Sequence, residues 1–303
     1  MKILTLNTHS LMEADNARAL QAFVRGALET MPDVIALQEV NQRQAAAVAD
    51  MSLLEGYVSV QTEIPVRRDN YAAQAARLLR EAGVEVSWTY LPVKLGYGCF
   101  DEGLAMLSLG RRIVYTESFL LSRSADYNNW KTRKVLGIQL EGCADWFYNV
   151  HMGWWNDEEE PFMVQWKILH CFLTTKPRYA PVWLMGDFNA PAEIRSEGYD
   201  HVADAGWYDT YVRAGERRGE ITMPGGIDGW QGISKVRHGA RIDQVWCSMP
   251  VTVNASTTVF DGENQPVVSD HYGVLVDIPP RPVEVDAPVT WDDLMPDMIF
   301  EAV

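Results

Sequence analysis

The chain is poor in cysteine, short of positive charge, and without any long apolar run. Its four cysteines are Cys99, Cys143, Cys171 and Cys247. None forms a C-x-x-C pair, so their spacing suggests neither a zinc site nor a disulfide framework. Buried, reduced thiols are the expectation. Lys plus Arg number 26 against 41 Asp plus Glu, a formal charge of -15. Such a field repels a phosphate backbone and argues against non-specific nucleic-acid binding. It leaves room for a local basic groove, or for a metal ion that supplies the missing charge. No run approaches the roughly 18 apolar residues of a membrane-spanning helix. The apolar start of "MKILTLNTHS" is too short for the core of a secretory signal. A cytoplasmic protein with no membrane partner is therefore expected.

What is present is enough for a large core. Hydrophobic residues make up 47% of 303 positions and charged residues 22%, so the chain reads as folded over most of its length. "KILTLN" is rich in strand formers. Residues 15–30 put Ala19, Leu20, Phe23, Ala27 and Leu28 on one helical face. "VIALQEV" follows as a second strand. The order strand, helix, strand returns later, as "WFYNVH", then "PFMVQWKILHCFLTT", then "PVWLMGD". The segments "GLAMLSLG", "IVYTESFLL", "KVLGIQLEG", "ARIDQVWCS" and "YGVLVDI" add strands. So many strands with so few helices imply an α/β fold of two packed sheets with helices on the outer faces. After residue 278 the composition changes. "PPRPVEVDAP" cannot continue a central strand, so residues 1–278 read as one domain and 279–303 as a Pro-containing acidic tail.

Polar residues gather where these strands end. Asn7 follows "ILTL", Glu39 follows "VIALQ", His151 follows "FYNV", and Asp187 and Asn189 follow "VWLMG". Asp243 precedes "QVW", and Asp270 and His271 precede "YGVLV". Strand ends on one rim are where layered folds bind ligands, because rigid strands hold the loop residues in place. Singly, each has a plainer structural reading. Asn7 could cap a turn, Glu39 could favour a helix start, Asp243 could pair with a nearby cation, and His151 could be a satisfied core histidine. Their coincidence at successive strand ends is what points to a site.

In their order, "LNTHS", "LQEV", "NVHMG", "GDFNAP", "RIDQVW" and "SDHYGV" resemble the endonuclease/exonuclease/phosphatase superfamily. It includes pancreatic deoxyribonuclease, abasic-site endonucleases, inositol-polyphosphate 5-phosphatases and neutral sphingomyelinases. The resemblance spans roughly residues 1–278 and implies a four-layered αββα sandwich, a divalent metal and phosphoester hydrolysis. It implies that Glu39 is the principal metal carboxylate, with Asn7 and Asp270 near the ion. Asp187 would orient or deprotonate the attacking water, and Asn189 would hold a phosphate oxygen. Asp243 would hold His271. His151 would donate to a phosphoryl oxygen, oriented by Glu102. The chemistry is consistent. Phosphate esters resist attack because their oxygens are negative, and Mg²⁺, or Mn²⁺, neutralises them. Oxygen ligands such as Glu39 and Asp270 suit these hard ions better than zinc.

Substrate signals lie outside those motifs. "HMGWWNDEEEPF" adds Trp154 and Trp155, "YNNWKTRKVLG" adds Trp130, Lys131, Arg133 and Lys134, "GGIDGWQG" adds Trp230, and "PVKLGYG" adds Tyr97. Aromatic faces stack on sugar rings, and Arg and Lys bind phosphate. Trp166, Trp183 and Trp246 read as core. The acidic run 157–160 also reads as a solvated face and helix start. "NTHS", "HMGWW" and "WKTRKVLG" are similar to the bacterial disaccharide-phosphate phosphatases, such as maltose 6'-phosphate phosphatase. The expectation is a Mg²⁺-dependent phosphomonoesterase acting on a small phosphorylated carbohydrate. A nuclease or other phosphodiesterase of the same superfamily is the alternative. A sugar-binding protein with a silent site is the non-enzyme alternative.

Overall fold

The computed structural model describes residues 1–225 and 239–280. The first elements are β1 (Lys2–Asn7), α1 (Asn16–Thr30), β2 (Val34–Arg43), α2 (Tyr71–Glu81), β3 (Val86–Gly96) and β4 (Phe100–Leu109). Then come β5 (Ile113–Leu120), β6 (Lys134–Leu140), β7 (Trp146–His151), α3 (Phe162–Leu173) and β8 (Val182–Asp187). The last are α4 (Gly198–Asp204), β9 (Tyr208–Asp209), α5 (Thr210–Arg213), β10 (Ala214–Arg218), β11 (Asp243–Cys247), β12 (Val253–Val259) and β13 (Gly273–Asp277). Asp15 caps α1 and Asn70 caps α2, each accepting a backbone N–H three residues on, as short polar caps do.

Seven strands pair in the order β10-β12-β13-β1-β2-β4-β3, and six in the order β5-β6-β7-β8-β11-β9. Both sheets are mixed: β1 runs parallel to β2 and antiparallel to β13, and β7 runs parallel to β8, which is antiparallel to β11. Side-chain alternation builds the layers. Ile3, Val34 and Ala36 turn inward and meet Trp183, Met185 and Val245 between the sheets. Leu4, Leu6, Ile35 and Leu37 turn outward, under Phe23 of α1 and Ala72 of α2. On the far side Val150, Leu184 and Trp246 pack under Phe162 and Leu169 of α3. The result is the expected helix–sheet–sheet–helix sandwich. Val182 to Met185 carry no polar break because both faces of β8 are covered.

A cluster of polar contacts around Asn149 crosses the apolar middle. Gln38 Nε2 donates to Asn149 Oδ1 at 2.6 Å. Asn149 Nδ2 in turn donates to the carbonyls of Leu37 and Ala105, both at 2.9 Å.

Some details differ from expectation. β2 runs on through Arg43, so Glu39 lies within a strand and not at a helix start. β3 carries Pro92 mid-strand, which is tolerated because β3 is the sheet's edge. Only Cys247 is buried. Cys143 is half-buried, while Cys99, in the β3–β4 turn, and Cys171, on α3, are exposed. Trp166, Trp183 and Trp246 are core residues as anticipated. Among the described residues, no helix is long and apolar enough to cross a membrane. Trp230 and all but the first two residues of the tail lie outside the described residues.

Candidate active site

The seven-stranded sheet brings carboxylates to its rim through irregular backbone. Asn7 ends β1 opposite Gln38. The ladder between β2 and β4 then shifts register between Leu37 and Val40. Glu39 sits in that bulge with φ 51°, in the left-handed region. A bulge re-aims a side chain that a regular strand would send to one face. Asn7 Nδ2 donates to Glu39 Oε1 at 3.0 Å and to Asp187 Oδ2 at 3.1 Å, so one amide bridges the sheets. Burial and the Glu102 carboxylate push the Glu39 carboxyl up from its ordinary value.

A second register shift, between Pro92 and Lys94, sets Lys94 opposite Glu102. Lys94 Nζ lies 3.0 Å from Glu102 Oε1. No hydrogen bond joins Glu102 to His151, so the expected orienting contact is corrected: Glu102 holds Lys94. Gly96 makes room for it, since a Cβ there would fall 2.5 Å from Glu102 Oε2. Asp270 is exposed, next to Ser269, whose hydroxyl donates to the Asn7 carbonyl at 2.7 Å.

The six-stranded sheet aligns its polar residues in one row. His151 is paired with Asp187 across β7 and β8, and Asp187 with Asp243 across β8 and β11. Gly186 permits this approach: it has φ 142°, and a Cβ there would lie 2.0 Å from the Val150 carbonyl oxygen. Burial, then the Asp243 charge, raises the Asp187 carboxyl to about 7. Asp187 also accepts the Asn189 N–H at 2.8 Å. His271 Nδ1 lies 2.9 Å from Asp243 Oδ2. Burial opposes a charge on His271, yet Asp243, Asp187 and Asp270 hold it protonated up to about 10. His151 goes the other way. Burial, then Arg133 and Lys94, push its pKa well below the ordinary value, so it is neutral at pH 7. Its Nε2 lies 3.6 Å from Asp187 Oδ2. Asn189, with φ 47°, uses Nδ2 toward the Met152 carbonyl and Oδ1 toward Trp154 Nε1. One amide hydrogen of its Nδ2 remains.

These groups meet in a cleft of about 550 Å³. Glu39, Glu102, Asp187 and Asp270 line it, as do His151, Asn189 and His271. Asn7 and Asp243 lie buried beneath. Tyr97, Arg133 and Trp154 form part of its walls. Arg133 is buried, and its guanidinium donates to the Trp130 and Thr132 carbonyls at 2.9 and 3.1 Å.

Two expected substrate residues are not on this cleft. Trp155 stacks on His201, with centroids 5.1 Å apart, and packs against Phe162. Lys134 borders a small void of about 10 Å³ behind Arg133, because successive residues entering β6 turn to opposite faces. The acidic run is more than a solvated face: buried Glu160 accepts the N–H groups of Arg123 and Ser124. Trp130, singled out in "YNNWKTRKVLG", lines the cleft, and two lining side chains were not anticipated: His9 and Lys94. His9 has φ 45° and lies 2.9 Å from Glu13 through Nδ1. A histidine within "NTHS", beside Asn7, was the available signal.

The donor set fits a hard divalent cation. Glu39 and Glu102 repel each other within the cleft, and a cation between carboxylates removes that repulsion. Donor atoms of Asp187, Asp243 and His271 also lie within 4.8 Å of one another. That group is a poorer ligand set, because a protonated imidazole has no free lone pair.

The sequence pattern of the Endonuclease/Exonuclease/phosphatase family matches residues 4–271. The chain belongs to that family. Endonuclease/exonuclease/phosphatase family members are metal-dependent phosphoester hydrolases, and the chain is an enzyme of this class. Among solved structures, a family protein from Leptotrichia buccalis C-1013-b is similar at 26% identity and TM-score 0.79, over 92% of this chain and 99% of that one. A mannosyl-6-phosphatase from Bacteroides thetaiotaomicron VPI-5482 shares the fold at 19% identity and TM-score 0.61, over 92% and 99%. So does TDP2 of D. rerio complexed with a single-strand DNA product, at 14% and 0.57, over 91% and 97%. Comparison with curated proteins gave no match.

Proposed function

We propose that the chain is a cytoplasmic, Mg²⁺-dependent phosphomonoesterase that releases phosphate from a sugar phosphate of the disaccharide 6-phosphate type. Residues 1–278 form its catalytic unit, and Mn²⁺ is the other ion its oxygen ligands suit. The observation that carries this reading is the pairing of opposites in one small cleft. A carboxyl raised to about 7, Asp187, faces an imidazolium, His271, between aromatic walls. The cleft volume falls in the range of small-molecule sites, about 300–1,000 Å³, and the net charge of -15 disfavours a duplex.

Glu39, with Asn7 and Asp270 beside it, would hold the ion. When bound, Mg²⁺ neutralises the phosphoryl oxygens and the departing sugar oxygen. Asp187 orients the attacking water and takes its proton, with a proton affinity matched to neutral pH. The new bond joins the water oxygen to phosphorus as the bond to the sugar oxygen breaks, the sugar oxygen takes a proton from solvent water, and Asp187 returns its proton to solvent. His271, held by Asp243, donates to a phosphoryl oxygen, and Asn189 offers its remaining N–H. His151 adds a neutral ring N–H. Arg133 and Lys94 supply positive charge, and Glu102 positions Lys94.

The test is phosphate release from a panel of phosphorylated disaccharides, with and without EDTA. EDTA-sensitive release is expected. No release, together with EDTA-sensitive cutting of DNA or RNA, would select the phosphodiesterase reading instead. Binding of sugars without hydrolysis would select a silent site.

A further inference from the structure

Trp130 is 50% exposed and lines the cleft. An indole that open to water commonly belongs to a loosely held loop. This loop is tied on both sides. Toward β3 and β4, Leu95 N–H donates to the Tyr127 carbonyl at 2.7 Å, and Tyr127 Oη donates to Asp101 Oδ1 at 2.9 Å. Toward residues 152–160, Glu160 accepts the N–H groups of Arg123 and Ser124, both at 2.7 Å. Lys131 Nζ lies 2.8 Å from Asp157 and 3.0 Å from Glu159. The Trp154 ring is 5.4 Å from that of Trp130.

The backbone of Trp130 is held at the centre of the site. Its carbonyl accepts from Lys94 Nζ and from the Arg133 guanidinium, both at 2.9 Å. The two cations assigned to the phosphate thus share an acceptor on the residue whose ring stays open. Tyr97, 59% exposed, lines the same cleft from the β3–β4 turn. Exposed aromatic surface on a fixed backbone marks a binding site whose ordering cost is already met.

We propose that Trp130 and Tyr97 form a subsite for the second sugar ring of the substrate, the ring that carries no phosphate. This rests on the sugar-phosphatase reading. The apolar face of a pyranose stacks on the indole. Lys131 and Glu159, beside it, offer a donor and an acceptor to the hydroxyls. Because the Trp130 carbonyl also fixes Lys94 and Arg133, the span from phosphate to second ring is set by one residue. The cleft selects substrates by length.

The experiment compares Trp130→Ala and Trp130→Phe with the wild type on a disaccharide 6-phosphate and on the matching hexose 6-phosphate. Calorimetric binding of the disaccharide 6-phosphate in EDTA is measured alongside. Trp130→Ala should lower kcat/KM on the disaccharide about tenfold, mainly through KM, as befits a lost aromatic contact. It should cost far less on the hexose phosphate and weaken calorimetric binding in parallel, and Trp130→Phe should restore most of the loss. Equal losses on both substrates would make the ring a mere support for the cations and overturn the subsite. So would no loss on either. If the wild type hydrolyses neither sugar phosphate, the functional reading itself fails, and calorimetry decides the subsite. Binding that Trp130→Ala leaves unchanged, or no binding at all, then overturns it.

Discussion

In the seven-stranded sheet, Glu39 and Lys94 reach the cleft from interrupted ladders, whereas in the six-stranded sheet His151, Asp187 and Asp243 come from an unbroken one. The difference follows the chemistry each side serves. Carboxylates around an ion must converge on a point, and neighbouring strands hold side chains parallel. Convergence therefore needs a bulge and a left-handed residue, as at Glu39. Groups around a water and a phosphoryl centre need spacing instead. Adjacent strands, about 4.8 Å apart, supply it from a regular ladder, with positive φ at Gly186, where the strands come close, and at Asn189, after β8 has ended.

The sharpest break in this comparison is Asp187→Asn. It removes the proton acceptor from the regular row, and kcat should fall about 10³-fold, measured with saturating Mg²⁺. Wild-type levels of turnover would remove Asp187 from the proposed role. Next is acidity. Asp187 must be ionised to accept a proton, and its carboxyl is raised to about 7. The rate should drop about tenfold per pH unit below that value, and the limb should move to lower pH as Mg²⁺ is increased. A profile flat to pH 5 at low Mg²⁺ would contradict it.

His271 gives a stability counterpart. Its folded pKa is raised from 6.5 to about 10. The folded state then binds the extra proton, so the contribution is full below pH 6.5 and is lost as pH rises toward 10. Metal-free protein should lose Tm across that window, and His271→Gln should flatten the slope.

Two glycines separate the sheets further. Gly186→Ala drives a Cβ into the Val150 backbone and should cost about 3 kcal/mol in denaturant unfolding. Gly96→Ala meets the Glu102 side chain at both ends, its Oε2 at 2.5 Å and its Cβ at 2.9 Å. The carboxylate can swing aside but the Cβ is tied to the backbone, so the cost should be about 2 kcal/mol, and its effect should show in KM as Lys94 loses its partner. The smallest expected effect is on KM in Trp155→Ala. That ring packs with Phe162 and His201, so Tm should fall while KM stays within about twofold.

The regular half was the more legible in sequence. Asp187 and His151 end apolar runs, and Asp243 opens one, so their side-by-side placement follows from strand pairing. Asn7 and Glu39 could be found the same way, but not the bulge that turns Glu39, because a backbone dihedral leaves no mark in "LQEV". Lys94 was hidden in "LPVKLG", where a proline and apolar neighbours give no hint of a charge facing a cleft. Its partnership with Glu102 depends on the shifted hairpin register. Trp154 and Trp155 are adjacent and identical in letter, and only packing distinguishes the one that bonds Asn189 from the one that stacks on His201.

The Gln38–Asn149 contact matters beyond satisfying two buried amides. Glu39 rides on one sheet and Asp187 on the other, so the gap across the reacting centre is a gap between sheets. Apolar layers are forgiving: two greasy faces can slip by a fraction of an ångström with almost no change in buried area. Hydrogen bonds are directional and do not forgive a slip. This keyed joint, a residue away from Glu39, therefore works with the Asn7 bridge to set the alignment tolerance of a catalytic centre assembled from two separate plates.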